Sequence, residues 1–140
     1  MRILMIALAA MVLMASSQAV AYCFSSEEIE RRSAKHWASY IWKRADVILE
    51  ATVARRWRPS VPEQLTASRV IKGPKQRAFT LANPDTLTSI ASPSTGLREG
   101  ESGIVALTQK SDGYFVSECI AGPLGRSDVQ AKLSAWTRSK

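Results

Sequence analysis

One histidine, His36, and two cysteines, Cys23 and Cys119, make up the chain's whole supply of the side chains most often used as metal ligands or as base and nucleophile near neutral pH. A zinc site closed on histidine and cysteine needs more ligands than these, so no metal and no cofactor are expected. A histidine-based catalytic centre would have to use His36. No serine or cysteine near it sits in a nucleophile motif, which leaves it as a surface or half-buried structural residue. Glu27, Glu28 and Glu30 could be imagined as an acid–base pair, but in the first turn of a helix they are explained by capping and by the positive end of the helix dipole. The expectation is a protein that is not an enzyme.

Charge is the stronger signal. The chain carries a formal +7, and its cations gather at Arg55-Arg56-Trp57-Arg58 and again at Arg69, Lys72, Lys75 and Arg77. Cations beside an aromatic platform suit single-stranded nucleic acid, and anionic lipid headgroups or acidic glycans would satisfy the same charge. Arg55, Arg56, Trp57, Arg58, Arg69 and Lys72 are therefore the candidate ligand-binding residues. The competing reading is a solvated strand edge that charge protects from edge-to-edge pairing. Glu50, inside an otherwise apolar strand, faces either a polar groove or an outward edge.

The elements that must position these groups follow from patterning. Met1-Arg2, the apolar run Ile3 to Met14 and the Ala19-Val20-Ala21 site have the form of a secretory signal peptide, with cleavage expected after Ala21. The run is shorter than the roughly 20 residues that cross a bilayer, and no transmembrane segment is expected in the mature chain. Tyr22 occupies the small-residue position that lipid attachment at Cys23 would need. The domain expectation is a signal peptide over 1–21 and a single domain over 22–140, placed in the periplasm or secreted. In an oxidising compartment, Cys23 and Cys119 at opposite ends of that domain read as a disulfide.

Within the domain, Ser25 with Glu28 makes a capping box, and Ile29 to Lys43 reads as a helix or a helix and a turn, with Trp37, Tyr40 and Ile41 on one side. Strand alternation marks Val47 to Val53. Further strands are expected over Gln64 to Ile71 and Arg77 to Leu81. Gly103 to Thr108 and Tyr114 to Cys119 flank Asp112-Gly113 as a hairpin. Asn83-Pro84-Asp85 and Ala91 to Gly96 are loop chemistry. Ser127 with Gln130 makes a second capping box, ahead of the stripe Val129, Leu133 and Trp136. Trp37, Trp42 and Trp136 read as core or core-rim residues. The fold class expected is mainly β with flanking helices, a five-stranded Greek-key barrel of OB type. A five-stranded meander with helices on one face would give the same string.

The order of Ala45 to Val53, Ser68-Arg69-Val70-Ile71-Lys72-Gly73-Pro74, Gly96-Leu97-Arg98-Glu99-Gly100-Glu101, the Ile104 to Leu107 strand and Tyr114 to Ile120 resembles bacterial secreted proteins related to the tissue inhibitors of metalloproteinases, the netrin-like OB superfamily. The resemblance covers roughly residues 45–124 and implies the OB barrel. In that family a Cys-x-Cys opens the mature chain, and its first cysteine caps the protease zinc through a free amine and carbonyl. With Cys23 matched to the second, Ala21 stands where the first would be, and Ser94 and Thr95 stand where many bacterial relatives carry another cysteine. The resemblance thus implies one bridge, Cys23 to Cys119, and a wedge without its anchoring thiol. The functional expectation is a non-catalytic binding domain for an unidentified protein partner at the cell envelope. The alternative is a module for an anionic ligand (lipid headgroup, glycan or nucleic acid) using the Arg55–Arg58 patch.

Overall fold

The computed structural model describes residues 23–83 and 94–136. The signal-peptide segment and parts of two loop expectations, Pro84-Asp85 and Ala91 to Pro93, lie outside them. The first helix, α1 (Ser26–Arg31), starts where expected: Ser25 Oγ accepts the Glu28 N–H at 3.1 Å. The other half of the capping box does not form, because the Glu28 carboxylate turns to Arg32 at 3.1 Å instead. The helix then breaks. Ser33 Oγ accepts the His36 N–H at 3.1 Å and opens α2 (Ala34–Arg44). Trp37, Ala38 and Ile41 form its buried stripe. Lys72 Nζ donates to Trp42 O and Ala45 O, 2.7 Å each, so a cation caps the negative end of α2.

Five strands form one antiparallel sheet: β1 (Val47–Arg55), β2 (Gln64–Lys72), β3 (Ala78–Thr80), β4 (Ser102–Lys110) and β5 (Gly113–Val116), in the order β3-β2-β1-β4-β5. Because β4 returns to lie beside β1, a simple meander is excluded. Three register shifts between β1 and β2 bend the ribbon. A parallel bridge from Leu81 to Tyr114 brings the two outer strands together, with the Ala82 N–H donated to Tyr114 O at 2.8 Å. The result is a curled half-barrel, consistent with the OB-like class. Val47, Leu49, Ala51 and Val53 point into the curl and pack with Leu65, Phe79, Val105 and Leu107. The β4–β5 hairpin forms, but its two loop residues are Ser111 and Asp112, and Gly113 (φ 123) is the first residue of β5. A Cβ there would stand 3.4 Å from Ala82 Cα, so the glycine permits both the turn and the approach of β3's end.

The other sheet face carries the helices. Ile48, Ile71 and Ala106 meet Trp37, Ile41, Val129 and Leu133 in a second apolar cluster. Two more helices, α3 (Ala121–Leu124) and α4 (Ser127–Trp136), complete this layer. Trp37 is fully buried, whereas Trp42 and Trp136 are half-buried and stack at 5.1 Å. The second capping box is replaced by other contacts. Ser127 is already helical, and Gln130 Nε2 donates to Leu124 O at 2.8 Å. Arg126 holds Asp128 through two hydrogen bonds of 3.0 and 2.6 Å and donates to Ile29 O and Arg32 O, tying the start of α4 to the end of α1. The Cys23–Cys119 disulfide is formed across 96 residues of sequence and joins the entry to α1 with the exit from β5. No helix among the described residues is long and apolar enough to cross a membrane.

Candidate functional site

Two regions carry groups that packing does not consume: the loop end of the sheet and the outer edge of β4. The loop end is built around Glu63, which is fully buried just before β2. Its carboxyl group accepts from Thr95 N at 2.9 Å, Thr95 Oγ1 at 2.6 Å, Ser94 Oγ at 2.9 Å and Trp57 N at 3.3 Å. A buried carboxyl group is tolerated only when its oxygens are bonded in this way. The geometry clips the segment 94–101 to the β1–β2 loop. Glu99 adds a second clip, accepting from Arg56 N at 3.1 Å and pairing with Arg58 at 3.4 Å.

The six candidate ligand residues do not form one surface. Arg55, Arg56 and Arg58 are exposed together at the loop end, joined by Arg98 from the facing segment. Trp57 is half-buried between them, and its indole N–H is sealed from solvent without a partner among the described residues. Arg69 and Lys72 lie farther along β2. Arg55 pairs with Gln64, five residues from Arg69, which is about 17 Å along a strand. Both are engaged on the helix side: Lys72 caps α2, and Arg69 pairs with Glu50 at 2.7 Å and donates to Ser134 O at 3.0 Å. Glu50 also accepts from Ser134 Oγ at 2.6 Å. Of its two sequence readings, the polar groove is the one observed. That groove, about 430 Å³, lies between α4 and the sheet, with Glu50, Ser68, Ser102, Ser127 and Ser134 in its lining.

The outer edge of β4 was not marked in the sequence. Val53 exchanges bonds with Glu101 O and Gly100 N, so odd-numbered β4 residues turn their backbone groups towards β1 and even-numbered ones away from it. Ala106 O, on the outer side, accepts from Ser117 N at 3.0 Å. Beyond that point β5 is gone: the chain leaves the sheet at Glu118 and Cys119, where Cys119 has φ 62 and is held by the disulfide. The outward N–H and C=O groups of Ser102 and Ile104 consequently have no hydrogen-bond partner among the described residues. Beside them runs a slot of about 370 Å³, walled by Leu97 and Thr95 on one side and by Ile120, Ala121 and Leu124 on the other.

His36 is exposed on α2, with Nε2 3.3 Å from Arg32 Nη1; its neighbour Ser33 is engaged through Oγ by the His36 backbone N–H as the helix cap. Among the described residues no three His, Cys, Asp or Glu side chains are grouped to hold a metal ion. In comparisons with family models, with characterised proteins and with solved structures, nothing matches the chain, so no family membership is assigned to it.

Proposed function

We propose that the chain works outside the cytoplasm as a non-catalytic domain that binds a protein partner. The observation that carries this reading is the slot beside β4, where apolar side chains and unused backbone groups share one solvent-open surface. Apolar contacts at the centre of a patch with polar groups around them are what protein interfaces are made of. Export is supported by the Cys23–Cys119 bond and by the signal-peptide pattern of residues 1–21. An exported protein whose intact mass begins at Tyr22 is the expected product.

The clustered arginines of the loop end favour the second reading, an anionic ligand. One experiment separates the two. The exported chain is immobilised and challenged with envelope extract, with and without prior protease digestion, at low and at high salt. The proposed reading expects a protein that stays bound at high salt and is lost when Ala121→Arg fills the slot. Ala121 is exposed on the slot wall, so the substitution leaves the core intact. Retention that survives protease digestion and collapses with salt would replace a protein partner with a polyanion.

A further inference from the structure

We infer that the partner is engaged by strand addition: an extended segment pairs antiparallel with β4 along Ser102 to Ile104, in line with β5 and beyond the Ser117–Ala106 bond, and carries acidic residues at the end that emerges past Ser102. This rests on the protein-binding reading and specifies its mode. Four structural facts support it. Ser102 and Ile104 present N–H and C=O groups outward with the spacing of a ladder, and an added strand is the one ligand that satisfies both in alternation. The position is kept open by covalent structure, since the disulfide at Cys119 holds the chain out of the sheet where β5 would otherwise continue. Leu97 and Leu124, both half-buried, then offer apolar contact to side chains of the added strand.

The fourth fact concerns charge. The slot runs past Ser102 to Glu101, which lines its mouth; Gly100 and Glu101 bond to Val53 there, so the mouth opens onto the loop end. There Arg55, Arg56, Arg58 and Arg98 stand against Glu99 and Glu101, a local cationic excess within a chain of formal charge +7. Glu99 is occupied by Arg58, and Glu101 accepts from Arg98 N at 2.9 Å. Acidic residues leaving the slot at this point would meet guanidinium groups, which favours both the direction of the segment and its rate of encounter.

The test uses a synthetic peptide, acetyl-Val-Thr-Val-Thr-Val-Glu-Glu-amide, titrated against the exported chain. The same peptide N-methylated at the residues that face β4 should bind about tenfold more weakly, as should the parent peptide to Ser102→Pro, each having lost one or two ladder bonds. Proline at this edge position removes an outward N–H and leaves the β1–β4 ladder intact, and far-UV spectra monitor the fold. The N-methylated arm does not depend on any variant folding. Arg56→Glu with Arg98→Glu should weaken the parent peptide and leave a peptide lacking its two glutamates unaffected. Equal affinity of the methylated and parent peptides, or no binding of the parent at millimolar concentration, would overturn strand addition. A partner that is retained by the wild type and lost in Ala121→Arg, while the peptide arms fail, would leave the binding reading standing and remove only its mode.

Discussion

At the helix-covered end of the sheet, Ile48, Ile71 and Ala106 close against Trp37, Ile41, Val129 and Leu133, and a disulfide, an arginine and a lysine fasten the helices that supply them. At the opposite end of the same strands, one fully buried carboxyl group, Glu63, gathers four neutral donors to hold the β1–β2 loop against residues 94 and 95. Apolar burial is non-directional and tolerates small shifts, so the helix end can be secured by many interchangeable contacts. A hydrogen-bonded carboxyl group works only in one geometry, and losing any partner leaves a buried group unsatisfied. The cationic loops and the open β4 edge sit near the second kind of anchorage, where a specified geometry holds polar surface in place without burying it.

Removing the covalent fastening should have the largest effect. With 96 residues between the cysteines, reduction or paired Cys→Ser substitution should lower stability by roughly 4–5 kcal/mol in the chain-entropy model. Urea unfolding with and without reductant measures this, and an unchanged midpoint would mean that the helix end does not need the bond. Next comes the apolar fastening. Leu133→Ala empties a fully buried site between α4 and the sheet and should cost about 3 kcal/mol. Thr95 amide exchange should stay slow relative to the variant's global unfolding if the two ends are independent.

The loop end is tested by Glu63→Gln. One oxygen becomes an NH₂ group facing donors it cannot satisfy, at a cost of about 2 kcal/mol. Exchange at the Trp57 and Thr95 amides should accelerate, while the indole signal of Trp37 is unmoved. The smallest effect concerns Asp128. Hydrogen bonds from the Arg126 guanidinium hold its carboxyl below the usual carboxylate range. A depressed folded-state value contributes stability above the unfolded value and loses it as pH falls through the folded one. Asp128→Asn should therefore be less stable than the wild type at neutral pH, and the two melting temperatures should converge below about pH 4. A difference that persists in acid would show that Arg126 holds α1 without needing its carboxylate.

Much of this frame could be read directly from residue order. Alternation at Val47, Leu49, Ala51 and Val53 identified β1, the Ser25 cap located α1, and the i, i+4 spacing of Val129 and Leu133 identified the buried stripe of α4, because each depends on neighbours a few residues away. The break at Ser33 and the failure of the second capping box were less legible, since in each case a side chain chose between local partners of similar worth.

By itself the sequence determined the five strands, the helices α1, α2 and α4, the mainly β class and the pairing of its two cysteines, but neither α3 (Ala121–Leu124) nor the early end of β5 at Val116. Tertiary structure alone decided which charges are available. Arg69 and Lys72 read as members of a basic patch, yet the β1–β2 register carries them away from Arg55 and gives them to Glu50 and to the end of α2. Glu63 carries no mark in the local sequence, yet it is the buried anchor of the loop end. The open edge at Ser102 and Ile104 has no local signature, because it exists only where β5 is shorter than β4 and the disulfide directs the chain elsewhere. Patterning reports the neighbours a residue has along the chain, whereas the fate of a charge or a free backbone group depends on neighbours that only folding brings within hydrogen-bond reach.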